Sequence, residues 1–157
     1  MNIGRNDIDW RNLSHDEIDR IIAERIEADD RRIEASGGKK PKRVGYILER
    51  IAEINNLREA DREAQDGKVK KNRFIRRHNL HPEEDLRALQ LMILTLDFPA
   101  PDYSVMKVRS DAGKVRDIVK QKYFPWRILH HAIMRVIGED IYKSLIYDTS
   151  ACIKGKG

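Results

Sequence analysis

Cations with few acids beside them are the residues of this sequence best suited to chemistry. Lys107, Arg109, Lys114 and Arg116 fall in one short stretch, and no acid stands between Tyr103 and Ser110. A second group, Lys68, Lys70, Lys71, Arg73, Arg76 and Arg77, surrounds Phe74. Arg127 follows a Tyr-Phe-Pro-Trp run, and Lys154 and Lys156 alternate with Gly155 and Gly157. Such side chains neutralise phosphates, arginine also orients them through paired hydrogen bonds, and a ring among cations can stack on a base. The same residues also read as a solvated charged surface. In that case the cations on the alternating stretch guard a sheet edge, Phe74 and Ile75 belong to the core, and the Lys-Gly segment is a disordered tail.

Other chemistries find less support. His78 and His81 lie close together but have no third ligand at metal spacing. His130 and His131 are neighbours on an expected helix and so cannot share one ligand; one should pack inward and the other meet solvent or nucleic acid. No nucleophile or carboxylate is spaced to make either one catalytic. Cys152 is the sole cysteine, which excludes an internal disulfide and a cysteine-based zinc site. No apolar run approaches a membrane span, so a cytoplasmic protein with no membrane partner is expected.

The elements that must position these cations follow from periodicity and punctuation. At 157 residues, with 40% hydrophobic and 36% charged side chains, the chain should make one helix-rich, highly charged domain. Residues 1–37 hold 6 basic and 10 acidic side chains, whereas residues 38–78 hold 13 and 6, so an acidic leader precedes a basic middle. A helix is expected over 14–36, with a Ser14–Glu17 capping box, a Leu13–Ile18 staple and a stripe of Ile18, Ile21, Ile22, Ile26 and Ile33. So narrow a stripe suggests weak docking, and a mobile linker over 37–42. A second helix is expected over 43–66, its core face Val44, Ile47, Leu48, Ile51, Ile54, Leu57, Ala60 and Ala64, with Gly67 ending it.

A third helix should start at Pro82 with three acids in its first turn and Leu86, Leu89, Met92, Ile93 and Leu96 on its core face. Leu91 and Leu94 lie off that face, so a second side should also be covered. The alternation over 103–109 and 114–119, with a turn at Ser110–Gly113, predicts a β-hairpin on which Val105, Met106 and Val108 face Val115, Ile118 and Val119. A last helix should start at Tyr123, with Pro125 in its first turn. The fold class expected is α+β: three or four helices around one cationic hairpin.

Three pieces in order carry a resemblance. These are the hairpin arm Gly113-Lys114-Val115-Arg116-Asp117-Ile118, the helix Arg127-Ile128-Leu129-His130-His131-Ala132-Ile133, and Asp148-Thr149-Ser150-Ala151-Cys152-Ile153-Lys154-Gly155-Lys156-Gly157. Together they resemble the fingers region of bacterial and phage reverse transcriptases of the group II intron, retron and diversity-generating type. The likeness covers the last third well and the preceding third loosely. It departs from many relatives at Gly138-Glu139, where they have a proline, and at Thr149-Ser150, where they have Ser-Tyr.

The resemblance implies residues 1–42 as an acidic leader helix and basic linker, and 43–157 as a partial polymerase domain without its palm. It implies an RNA template, a DNA or RNA primer and a dNTP as partners. Arg109 and Arg116 would hold the triphosphate; on their own charge and position, Lys107, Lys114, Arg127, Lys70, Lys71, Arg73, Arg76, Arg77, Lys154 and Lys156 are expected to lie along nucleic acid. The complete enzyme would use Mg²⁺ held by palm carboxylates, including a Tyr-x-Asp-Asp turn that this sequence lacks, so this chain would bind no Mg²⁺ and not polymerise alone. A separate palm-containing polypeptide, or self-association, could cover apolar surface meant for the palm. A stand-alone RNA- or DNA-binding protein, or an interaction subunit derived from such an enzyme, are the alternatives.

Overall fold

The computed structural model describes residues 8–37, 44–67, 72–109 and 113–144. A short 3₁₀ turn, Trp10–Asn12, leads into α1 (His15–Ala35). There follow α2 (Ile47–Ala52), α3 (Ile54–Gln65), α4 (Arg73–His78) and α5 (Pro82–Thr95), then β1 (Tyr103–Arg109), β2 (Val115–Gln121), a wide π-type turn (Tyr123–Arg127) and α6 (Ile128–Ser144). The class is α+β, helix-rich, with one antiparallel two-stranded ribbon.

Helix α1 begins as its sequence dictates. The Ser14 hydroxyl accepts from the Glu17 amide while the Glu17 carboxylate accepts from the Ser14 amide, a complete capping box. Gly37 ends it with φ +67°, a left-handed value that glycine takes without a steric penalty. The expectation of weak docking is corrected. Ile18 and Ile22 enter the main core, and the charged residues make specific ties beyond it. Asp29, buried, accepts from the Gly45 amide at 2.9 Å and from the Arg32 and Arg50 guanidinium groups. Arg25 reaches Glu49 at 2.6 Å with Trp10 and Tyr46 beside its guanidinium, and Asp19 holds Arg87 and Gln90 of α5. Charge on this helix binds it to the body.

The single helix expected over 43–66 is two. Glu53 has φ −56° and ψ 128°, outside helical space, and separates α2 from α3. Ile51, Ile54, Leu57, Ala60 and Ala64 are buried as expected, but Val44 is exposed. The small Ala60 and Ala64 of α3 let α6 approach closely, with Ile128 and Ala132 fully buried. The Asn56 amide donates to the Ile51 and Ala132 carbonyls and stitches α2, α3 and α6 together.

Helix α5 buries Leu86, Leu89, Gln90, Ile93 and Leu94. Leu96 is a correction: it caps the helix with φ 55° and its side chain is exposed. Leu94, expected off the core face, is buried, which agrees with cover on more than one side. The segment expected to start the last helix at Tyr123 is instead a turn, kinked at Phe124 (φ −93°, ψ 138°), with regular helix from Ile128.

The ribbon pairs Tyr103 with Gln121, Val105 with Val119, Met106 with Ile118, Lys107 with Asp117, Val108 with Arg116 and Arg109 with Val115. Gly113 has φ +73°, which supports the turn placed there, although residues 110–112 lie outside the described set. Val105, Val115 and Val119, together with Tyr103, are exposed on one face; Met106 and Ile118 are exposed on the other. The ribbon leaves these five apolar side chains and Tyr103 uncovered, with Val108 half-buried.

Candidate nucleic-acid interface

The base of the hairpin meets α4 along a groove of about 730 Å³. Arg73 comes from the first position of α4, Lys120 and Lys122 from the end of β2 and beyond, and Arg127 from the end of the turn. None of the described residues lining this groove is acidic. Asn72 starts α4 by accepting from the Phe74 amide at 2.9 Å, which directs the first turn of the helix into the groove. Ile75 is fully buried and Phe74 half-buried against the core, so these two anchor α4 while Arg73 stays exposed over the Phe74 ring, 4.9 Å from its centroid. Lys122 pairs with Asp102. Arg73, Lys120 and Arg127 make no salt bridge among the described residues.

The cations of the candidate interface are distributed as follows. Arg73 and Arg127, distant in sequence, are brought into one groove. Arg76 and Arg77 are exposed on α4 but do not line it. Lys107, Arg109, Lys114 and Arg116 lie further along the hairpin. Lys107 faces Asp117 across the ribbon, and the register puts Arg109 and Arg116 on opposite faces. Lys70, Lys71, Lys154 and Lys156 lie outside the described residues. Lys120 and Lys122 were missed because the alternation over 114–119 stops short of the point where β2 passes the groove.

Behind the groove lies a polar cluster built from three helices and the turn. His78, at the end of α4, is buried; its Nδ1 is 2.7 Å from Asp85 Oδ2 of α5 and its Nε2 3.2 Å from Asp61 Oδ1 of α3. The Tyr123 hydroxyl donates to the Asp61 carboxylate and lies 3.1 Å from the Asp61 carbonyl, and the Gln65 amide donates to Asp61 Oδ2 at 2.9 Å. Phe124 stacks on the imidazole with the rings 12° from parallel, and Tyr123 tilts against it at 5.4 Å. Burial pushes the His78 pKa down, but the two carboxylates outweigh burial and hold it above the usual histidine value. Burial pushes Asp61 up, yet the His78 imidazole beside it and the hydrogen bonds from Tyr123 and Gln65 bring it below the usual carboxylate range. Burial and the Asp61 charge both raise the Tyr123 phenol far above its ordinary value. The signal available in sequence was His78 seven residues before Asp85, two helical turns apart across a helix boundary.

His130 is exposed, while His131 is partly covered, 3.6 Å from Glu63, as the adjacent pair led one to expect. Burial lowers the His131 pKa despite Glu63. No group of three or more His, Cys, Asp or Glu side chains among the described residues could hold a metal ion. No helix among the described residues is long and apolar enough to cross a membrane. Comparison of the chain with protein-family models, with curated proteins and with solved structures found no match.

Proposed function

We propose that this chain is the N-terminal and fingers portion of an RNA-directed DNA polymerase of the reverse-transcriptase type, and that its groove holds the backbone of a template–primer. The observation that carries this reading is the convergence of Arg73, Lys120 and Arg127, none of them in a salt bridge among the described residues, on one groove whose described lining has no carboxylate; Lys122, paired with Asp102, lies beside them. Cations brought together without acids raise the local potential, which favours a polyanion over a neutral or cationic ligand. Lys107, Arg109, Lys114 and Arg116 continue the positive charge along the hairpin, where the triphosphate of a dNTP would be met. In this reading the catalytic carboxylates and their Mg²⁺ belong to a palm outside these residues, and the chain binds without polymerising.

The test is fluorescence anisotropy of a fluorescein-labelled RNA–DNA hybrid titrated with the full chain between 50 and 200 mM salt. The expected log–log slope is about −2 to −4, the release expected when a few phosphates are neutralised. Charge reversal at Arg73 and Arg127 together should weaken binding at least tenfold while leaving the circular dichroism spectrum unchanged. A chain that fails to bind the hybrid at 50 mM salt overturns the reading. Equal affinity for single-stranded RNA and the hybrid would instead mark a stand-alone RNA-binding protein.

A further inference from the structure

We propose that His78 is a positioning residue for the cationic groove: as an imidazolium held between Asp61 and Asp85 it fixes the Tyr123–Arg127 turn against α4, and loss of its proton loosens Arg127 from its place opposite Arg73. The binding consequence rests on the functional reading above; the tie itself does not.

The geometry asks for a charged ring. The His78 side chain is 1% exposed, and each ring nitrogen faces a carboxylate from a different helix. A neutral imidazole has one N–H and one lone pair, so one of its nitrogens would present a lone pair to an anion. Two N–H groups remove that repulsion. The contact from Nε2 to Asp61 is short but out of line, which leaves this buried atom without a hydrogen bond. It therefore acts on Asp61 through its charge, while Asp61 spends its hydrogen-bonding capacity on Tyr123 and Gln65.

Tyr123 is the link to function. It binds Asp61 through its hydroxyl, contacts the His78 ring, and lines the groove beside Arg73 and Arg127. Arg73 opens the six-residue α4 that His78 closes, and Tyr123 opens the five-residue turn that Arg127 closes. Both groove arginines thus sit on short elements joined through this one cluster. The titratable groups facing the ring are Asp61 from α3, Asp85 from α5 and Tyr123 from the turn, while Arg76 and Arg77 of α4 itself are exposed. Of these, Asp61 is held below its ordinary carboxylate range and the Tyr123 phenol far above its own, so neither exchanges its proton around neutrality, where an imidazole does.

The first measurement is NMR of the full chain labelled with ¹⁵N and ¹³C in histidine and arginine. The His78 ring should be doubly protonated at pH 7, with a midpoint above the usual histidine value. The Arg127 Nε–H signal should shift with the His78 midpoint. A neutral His78 at pH 7, or an Arg127 indifferent to its titration, overturns the proposal. The second is anisotropy with the labelled RNA–DNA hybrid at pH 6.0 and 8.5. Wild type should lose affinity severalfold on going to pH 8.5, while His78→Gln should bind weakly at both values, and Asp85→Asn should shift the loss to lower pH. Unchanged affinity and pH dependence in a folded His78→Gln chain also overturns it. If that variant does not fold, the wild-type NMR titration decides. If wild type binds no hybrid at either pH, the polymerase-fingers reading falls, and the NMR result alone decides whether the tie exists.

Discussion

Arg109 and Arg116 project from opposite faces of the hairpin, because Arg109 pairs with Val115 and Arg116 with Val108 in adjacent positions of the ladder. Cross-strand partners share a face and successive residues alternate, so the register decides this whatever rotamers the arginines adopt. The resemblance assigns both to one triphosphate. A ligand resting on one face meets only one of them unless it wraps the ribbon's edge. In competition against a fluorescent nucleotide, Arg109→Ala and Arg116→Ala should therefore act independently, with a coupling energy below about 0.5 kcal/mol in the double-mutant cycle. Coupling of about 1 kcal/mol or more would mean that both grip the same phosphates.

The basic segment around Phe74 divides in two by position. Arg73 lines the groove and Arg76 and Arg77 do not, although all three sit on one short helix. Removing a cation that contacts a phosphate lowers the salt slope by about one; removing a solvated cation leaves it nearly unchanged. Arg73→Ala and Arg127→Ala should each show the first behaviour, and Arg76→Ala and Arg77→Ala the second, in hybrid titrations across salt. Equal effects at all four positions would point to diffuse attraction by the whole basic surface.

How far the sequence disclosed this arrangement depends on how local each signal was. The capping box and the glycine stop of α1 involve neighbouring residues, and both ends of that helix agree with expectation. The break at Glu53 was hidden because Ile51 and Ile54 keep a spacing of three across it, so the apolar period survives although the backbone leaves the helix. Leu96 carries the right spacing for the α5 core face but lies at the αL cap, which turns it outward. The hairpin cations were legible one by one. The groove was not, since Arg73, Lys120 and Arg127 meet only after α4 packs on the turn, and the Asp61–His78–Asp85 cluster likewise needs three helices assembled.

Gly45 shows how tightly the acidic leader is held. A Cβ at this position would lie 2.7 Å from Asp29 Oδ1, inside contact distance, and the same carboxylate accepts the Gly45 amide and two guanidinium groups. Gly45→Ala must push Asp29 away and leave a buried charge short of donors, at a cost of about 1–3 kcal/mol. Urea unfolding should show a lower midpoint with an unchanged slope. A midpoint within error of wild type would mean that α1 can shift at no cost, returning it to the status of a loosely docked leader.

The pH dependence of stability has two limbs with different owners. Burial pushes Asp19, Asp29 and Asp61 up, but their hydrogen bonds outweigh it, and each titrates below its ordinary value in the folded chain. Their contribution is present above the unfolded carboxylate pKa of about 4 and is lost as pH falls through the lowered folded values. His78 runs the other way: with its folded pKa raised, its contribution is complete below about 6.5 and is lost as pH rises through the folded value. From these groups the melting temperature should be highest between about pH 4 and 6.5 and decline on both sides, with His131, whose folded pKa burial lowers, acting opposite to His78 and offsetting part of that gain as pH falls below about 6.5. His78→Gln should flatten the alkaline limb and leave the acid limb, where Asp19 and Asp29 still act. Asp29→Asn should weaken the acid limb and leave the alkaline one, because Asp29 binds α1 to the Gly45 segment and takes no part in the His78 cluster. If the alkaline decline persists undiminished in a folded His78→Gln chain, another group carries it, and the two carboxylates do not hold the imidazolium in the way their geometry requires.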